Sequence, residues 1–293
     1  MITVIVGPTA VGKSKLAIEL AKRINAEIIS GDSVQIYKKL DIGSAKITLD
    51  EQEGIVHHLI DVYDLETPYS VADFQREVRA KINEIEARGK QVIICGGTGF
   101  YLKAALFNYV FEHQGRQLDF ESSLQDKTNE ELYHWLQDID PESAAKFHPN
   151  NRVRVLRALG YYLQTGEVIS KEVNKDEPLY DAVFIGLSMD RDVLYDLINQ
   201  RVDHMMSHGL LEEVQGVSAY QDHIQAIGYN ELFDYLKGLT SLDEAVELIK
   251  QHSRQLAKRQ WTWFRNQMPV HWLDASEPLD ILIQQALQLI DTK

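Results

Sequence analysis

The chain has 293 residues, 44% of them hydrophobic, enough to bury a sizeable core in one large domain or two smaller ones. Its 30 basic and 44 acidic side chains leave a formal net charge of −14, which excludes general attraction to a polyanion and sends any nucleic acid to a local basic patch. The single cysteine excludes an internal disulfide, and no apolar run approaches the roughly 18 residues of a membrane span.

Met1 to Gly7 run straight into an apolar strand, Ile2–Val6, with no basic leader, so a cytoplasmic protein with no membrane association is expected. The turn that follows, Gly7-Pro8-Thr9-Ala10-Val11-Gly12-Lys13-Ser14, fits G-x-x-x-x-G-K-[ST] and opens the helical pattern of Leu16, Ala17, Leu20 and Ala21 within Ser14–Asn25. Such a loop turns backbone N–H groups onto the oxygens of a phosphate chain at the positive end of a helix. Gly7 and Gly12 permit the turn, Lys13 supplies a cation, and the Ser14 hydroxyl is placed to ligate a magnesium ion (Mg2+) bridging the phosphates. The motif does not distinguish ATP from another diphosphate.

Glu27–Ser30 reads as the second strand, and Asp32 stands just past it on the same sheet edge as the loop. Asp32 has three readings from its position: a cap for the next segment, a carboxylate that steadies magnesium through water, or a general base for a nucleophile brought beside the phosphates. Ser33 and Gln35 offer donors and acceptors suited to a base edge, with Tyr37 and Lys38 behind them. The apolar run Val56–Val62, the helical Val71–Arg88 and the strand Val92–Cys95 continue a βαβ rhythm. Cys95 is read as a small buried hydrophobe, since no activating partner for a thiolate is evident. Gly96-Gly97-Thr98-Gly99 then turns into the helix Phe100–Phe107. In a parallel sheet this turn can face the first, with Thr98 on the same phosphates, although close packing accounts equally well for its glycines.

The rhythm breaks between about Tyr109 and Pro178, where the chain becomes helical and polar and carries Pro141 and Pro149. The expected architecture is an α/β, P-loop NTPase-like parallel sheet flanked by helices, formed by 1–108 and 179–293, with 109–178 as an all-helical insertion domain. Ala182–Leu187 and Val270–Leu273 read as later strands. Helices are expected over Arg191–Ser207, Leu210–Tyr220, Asn230–Lys237, Leu242–Phe264 and Leu279–Ile290. At about 100° per residue, Lys250, Arg254, Lys258 and Arg265 share a narrow face with Trp261 beside them, while Leu256 and Trp263 point away toward the sheet. That face can hold an RNA backbone with Trp261 stacking on a base, or it can be a solvated charged surface with Trp261 packed on a neighbour.

Ten ordered blocks resemble the bacterial tRNA dimethylallyltransferases (delta-2-isopentenylpyrophosphate transferases): Gly7–Ser14, Asp32–Lys38, Asp41–Lys46, His57–Asp61, Tyr69–Phe74, Gly96–Tyr101, His148–Asn150, Arg157–Leu159, Ala226–Tyr229 and Arg254–Gln260. The resemblance implies an enzyme that moves a dimethylallyl group from dimethylallyl diphosphate to the exocyclic amine of the adenosine next to the anticodon. The tRNAs so modified read codons beginning with U, and the product is N6-isopentenyladenosine. It also implies that Asp32 takes the amine proton and that Thr98 and Arg201 steady the leaving diphosphate. The base must leave its stack to reach a buried pocket, and Asp32, Ser33, Val34, Gln35 and Thr98 are similar to the family segments that hold it. Contacts to tRNA are expected from Val153, Arg154, Val155, Leu156 and Arg157, and from Arg254, Lys258 and Trp261; a monomer is expected. For Arg154 and Arg157, on one helix face, an ordinary solvated surface is the alternative.

The chain departs from the family pattern where Asn108–Phe120 is short, and where Asn151 and Gly160 replace a usual aspartate and glutamate. Other readings of the same motifs are a P-loop kinase for a small metabolite, a prenyltransferase for free adenine nucleotides, and a nucleotide-switched binding protein.

Overall fold

The computed structural model describes residues 1–109, 111, 124–171 and 177–292. The short Asn108–Phe120 segment therefore lies largely outside the described residues. Two compact units divide the chain, Met1–Leu106 with Pro178–Lys293 and, separately, Phe107–Glu177.

The first unit is built on a six-stranded sheet, β1 (Ile2–Val6), β2 (Ala26–Ser30), β3 (His57–His58), β4 (Gln91–Cys95), β5 (Ala182–Ser188) and β6 (Val270–Asp274), in the order β3-β2-β4-β1-β5-β6. Every pairing is parallel, with Ile2 opposite Val92 on one side of β1 and opposite Ala182 on the other. All five residues of β1 and of β2 are buried, as strands covered on both faces require. Helix α1 (Lys13–Ile24) lays Leu16, Ala17, Leu20 and Ala21 on one face of the sheet, joined by Leu282, Ile283 and Ala286 of the helix Leu279–Asp291. Helix α2 (Val71–Ala87) starts at a capping box formed by Ser70 and Asp73, and α3 (Gly99–Leu106) follows β4. A second core gathers Leu40, Val202, Leu210, Val214, Tyr229, Leu232 and Ile249 around the C-terminal helices.

The run Val56–Val62 contributes only His57 and His58 to the sheet. Leu59 (φ 61°) and Asp61 (φ 55°) adopt left-handed backbone, which no strand ladder continues. The expected helix Leu210–Tyr220 ends at Gly216, and a separate 3₁₀ turn covers Ser218–Tyr220.

The second unit holds helices Asn129–Ile139, Pro141–Lys146 and Arg152–Thr165 over a core of Leu124, Leu132, Leu136, Val155, Leu156 and Leu159. Each helix has a local start signal: Thr128 with Glu131, Asp140 ahead of Pro141, and the Asn151 side chain on the Arg154 N–H. Asn151, the departure from aspartate, is a helix cap here.

Candidate functional site

The sheet's strand order reverses around β1 and β4, so the crevice beyond their C-terminal ends is where a ligand fits this architecture. The loop after β1 supplies one wall. Gly7 (φ 143°) and Gly12 (φ 94°) take backbone shapes that favour glycine, and a Cβ at Gly7 would stand 2.6 Å from the Leu187 carbonyl oxygen. Lys13 folds back to donate to the Pro8 carbonyl at 2.6 Å. Loss of water around it pulls its ammonium down to about 8, with Cys95 and Asp32 pulling upward and Arg201 downward. Ser14, in the first turn of α1, lies on the same wall.

The Gly96–Gly99 turn supplies the opposite wall, and its glycines serve close packing. A Cβ at Gly96 would fall on the backbone of Gly31, one at Gly97 on the Gln260 amide, and one at Gly99 inside the ring of Trp263. Thr98 sits between them on the cleft surface. Gln260 ties the two turns together: its Oε1 accepts from the Thr9 N–H at 2.9 Å and its Nε2 donates to the Gly97 carbonyl at 3.1 Å. Arg201, from the helix Arg191–Ser207, donates to the Thr9 hydroxyl at 3.2 Å. Burial lowers the Arg201 guanidinium from its ordinary value, opposed by the Asp32 charge. Cys95 packs against the sheet core, as its reading as a small buried hydrophobe expects, and also lines the cleft. Burial pushes its thiol up to about 11, which keeps it protonated and inert.

Asp32 is fixed by its own turn. One carboxylate oxygen accepts from the Val34 N–H at 2.8 Å and the Gln35 N–H at 3.4 Å, which leaves the other available to the cleft. The Gln35 amide is spoken for: it accepts from Ser30 Oγ at 3.0 Å and donates to the carbonyls of Ser44 and Ala45 at 3.2 and 3.3 Å. Its expected hydrogen bonds to a base edge therefore compete with bonds already made. Ser33 and Val34 lie on the cleft wall beside it.

Together these residues line a cleft of about 600 Å³. The helices Arg191–Ser207 and Leu242–Gln267 add the apolar side chains Ile198, Val202, Met205, Ile249, Leu256 and Trp263 to the lining, with Ser253 and Arg259 among them. Leu256, Gln260 and Trp263, spaced four and three apart on one stripe of the helix Leu242–Gln267, thus face the cleft, whereas Ala257 and Phe264 of that helix enter the core. Helical spacing places Leu256 and Trp263 on the side away from the cations, but it does not single out Gln260 between them or the cleft that all three line.

The other expected RNA contacts are dispersed. Val155 and Leu156 are buried in the helical unit's own core and so offer no side chains to RNA. Val153, Arg154 and Arg157 are exposed, with Arg154 over the Phe147 ring. On the long helix Arg254 donates to Asn199, Lys250 pairs with Asp203 at 2.8 Å, and Trp261 packs on Trp272 with ring centroids 4.6 Å apart. Lys258 and Arg265 are exposed. Among the described residues no helix is long and apolar enough to cross a membrane.

Comparison with known proteins follows the same geometry. The family model "IPP transferase" matches residues 35–267. The chain is 50% identical to the tRNA dimethylallyltransferase of Bacillus subtilis, covering 97% of this chain and 94% of the relative. It is likewise 50% identical to that of Geobacillus thermodenitrificans, over 94% and 91%. The crystal structure of the tRNA delta(2)-isopentenylpyrophosphate transferase from Staphylococcus epidermidis superposes with TM-score 0.75 at 45% identity, over 100% of this chain and 99% of that one. A eukaryotic dimethylallyltransferase acting on tRNA superposes at 0.82 with 33% identity, over 94% and 73%. By sequence over nearly its whole length and by fold, the chain belongs to the IPP transferase family, that of the tRNA dimethylallyltransferases.

Proposed function

We propose that this chain transfers the dimethylallyl group of dimethylallyl diphosphate to the exocyclic amine of the adenosine next to the anticodon, in tRNAs reading codons that begin with U. The observation carrying this reading is a single cleft whose lining combines a phosphate-type loop, the cations Lys13 and Arg201, the Asp32 carboxylate and a set of apolar side chains. Lys13, Arg201, Thr9 and Thr98 meet the diphosphate, and Met205, Leu256 and Ile249 are suited to the five-carbon chain. A small-metabolite kinase or a nucleotide switch has no use for that apolar surface.

In the reaction the amine nitrogen forms a bond to the allylic carbon as the carbon–oxygen bond breaks. The electron pair leaves on the diphosphate and the amine proton passes to the free oxygen of Asp32. Lys13 and Arg201, both partly stripped of water, neutralise charge that grows on the departing oxygens. The Ser14 hydroxyl, on the cleft lining beside the loop, would hold a magnesium ion, which when bound would supply further neutralisation of the diphosphate charge. Exposed Lys258, Arg154 and Arg157 are proposed to meet the RNA backbone. The protein is proposed to act in the cytoplasm as a monomer.

Purified protein incubated with magnesium, labelled dimethylallyl diphosphate and unmodified tRNA should place label in the RNA. Asp32→Asn keeps the oxygen that caps the Val34 and Gln35 amides and should still bind donor, yet lose about 10² to 10⁴ in transfer rate. Label on free AMP instead of tRNA would overturn the acceptor, and an Asp32→Asn enzyme at wild-type rate would overturn the base.

A further inference from the structure

One carboxylate remote from the diphosphate cradle is saturated with hydrogen bonds that serve no step above. Glu213, in the helix Leu210–Gly216, accepts from three successive backbone N–H groups, those of Asp41 (2.9 Å), Ile42 (2.7 Å) and Gly43 (2.9 Å), and from the Tyr229 hydroxyl at 2.6 Å. Three consecutive amides turned one way form a concavity that attracts an anion. Here the protein fills it with its own side chain, so it is a clamp and not a ligand site. Tyr229 is fully buried, and its ring occupies the space where a Cβ of residue 43 would stand, so only glycine lets the loop settle against it.

The clamped loop leads directly to the cleft. Its next two carbonyls, of Ser44 and Ala45, receive the Gln35 amide, and the Gln35 and Val34 N–H groups hold one oxygen of Asp32. Hydrogen bonds, the backbone from Gly43 to Ser44 and the Gln35 side chain thus join Glu213 to Asp32 in one continuous path.

We infer that Glu213, braced by Tyr229, is a positioning residue for the acceptor side of the reaction: it fixes the Asp41–Ala45 loop, which through Gln35 aims the Asp32 carboxylate at the amine. This rests on Asp32 being the base. Removing the clamp leaves three loop amides unpaired and lets the Gln35 anchor drift, and a displacement of about 1 Å at a reacting group costs on the order of 10²-fold in rate. The donor's phosphates are held by other elements and should not sense it.

The test measures single-turnover transfer at saturating tRNA, donor affinity and Tm for Glu213→Ala, Glu213→Gln, Tyr229→Phe, Gln35→Ala and the Glu213→Ala/Gln35→Ala pair. Glu213→Ala should slow transfer by about 10²-fold with donor affinity unchanged. Glu213→Gln and Tyr229→Phe, which keep the packing, should lie between it and wild type. The double variant should be no slower than the slower single, because both act on one path. Their effects on Tm can add, since each also removes ordinary stabilising bonds, so coupling in rate without coupling in Tm marks positioning. Folded Glu213→Gln and Tyr229→Phe proteins with wild-type rate overturn the inference, as do single effects that multiply in the double variant. An Asp32→Asn control separates the two ideas: an active Asp32→Asn protein removes the base assignment and this inference with it, whereas an inactive one beside unaffected Glu213 variants removes this inference alone.

Discussion

Lys13 carries a titration with a testable sign. Its ammonium lies at about 8 in the free protein, against 10.5 for an ordinary lysine, because the cleft strips its water. Bound phosphates favour the charged form, so donor binding at pH 8 to 9 should take up a proton and donor affinity should fall as pH rises past about 8. Calorimetry in buffers of different ionisation enthalpy measures that uptake, and Lys13→Met should abolish it; equal uptake in both proteins would refute the assignment. The linked effect on folding has the opposite sense: the burial of Lys13 penalises the fold fully below about 8, and the penalty is relieved between about 8 and 10.5, where the unfolded chain holds the extra proton. Residues of this kind were legible because their roles are local. Gly7–Ser14 sits in a motif of fixed spacing and Asp32 at a strand end, both readable within a few positions. Gln260 was not legible in role, since its partner Thr9 lies 251 positions away and no local pattern records such a bond. Val155 and Leu156 were misassigned for a related reason: a segment similar to a functional block also contains the residues that build its own core.

The elements show which signals are physical and which are only familial. The strand–loop–helix of Ile2–Ile24 follows from apolar runs and glycines, and so does the packing of α1. The block Tyr69–Phe74 contains a capping box, Ser70 with Asp73, so part of its family signature records how a helix begins. Only His57 and His58 of the run Val56–Val62 join the sheet, because apolar composition says nothing about the left-handed backbone at Leu59 and Asp61. The long helix expected over Leu242–Phe264 runs on to Gln267, and Leu256 and Trp263 do turn away from Lys258 and Arg265, toward the sheet unit. Its cation stripe was conspicuous, but three surfaces compete for the helix, and the cleft took the stripe of Leu256, Gln260 and Trp263. At the level of turns, Gly96→Ala forces a methyl onto the Gly31 backbone, which has no soft side chain to yield. It should cost about 1 to 3 kcal/mol, the usual range for overpacking, read as a lower denaturant midpoint at unchanged m-value. A midpoint equal to wild type would show that the two turns have room to separate.

The whole molecule is one sheet interrupted by a helical unit that leaves and returns at one place. The Leu179 N–H donates to the Leu106 carbonyl at 2.9 Å, and just inside the insertion the Asn108 N–H donates to the Glu177 carbonyl at 2.8 Å. Ends so close make the insertion separable in principle. Replacing 107–177 by a short Gly-Ser linker should leave a cooperatively melting protein that still binds donor but modifies tRNA poorly; loss of donor binding would show that the sheet unit needs its insertion to fold. The alternation of strand and helix made this division readable, since the rhythm stops and resumes near the observed boundaries. The sheet order has a further consequence during synthesis. β1 leaves the ribosome first yet lies between β4 and β5, and the turn at Gly7 is seated against the carbonyl of Leu187 in β5. At roughly 5 to 20 residues per second, about 10 to 40 s pass before that partner exists. The β4 edge of the nascent Ile2–Val6 run gains its partner about halfway through that interval, the β5 edge stays bare to its end, and the seat of the Gly7 turn is complete only after 107–177 has been translated.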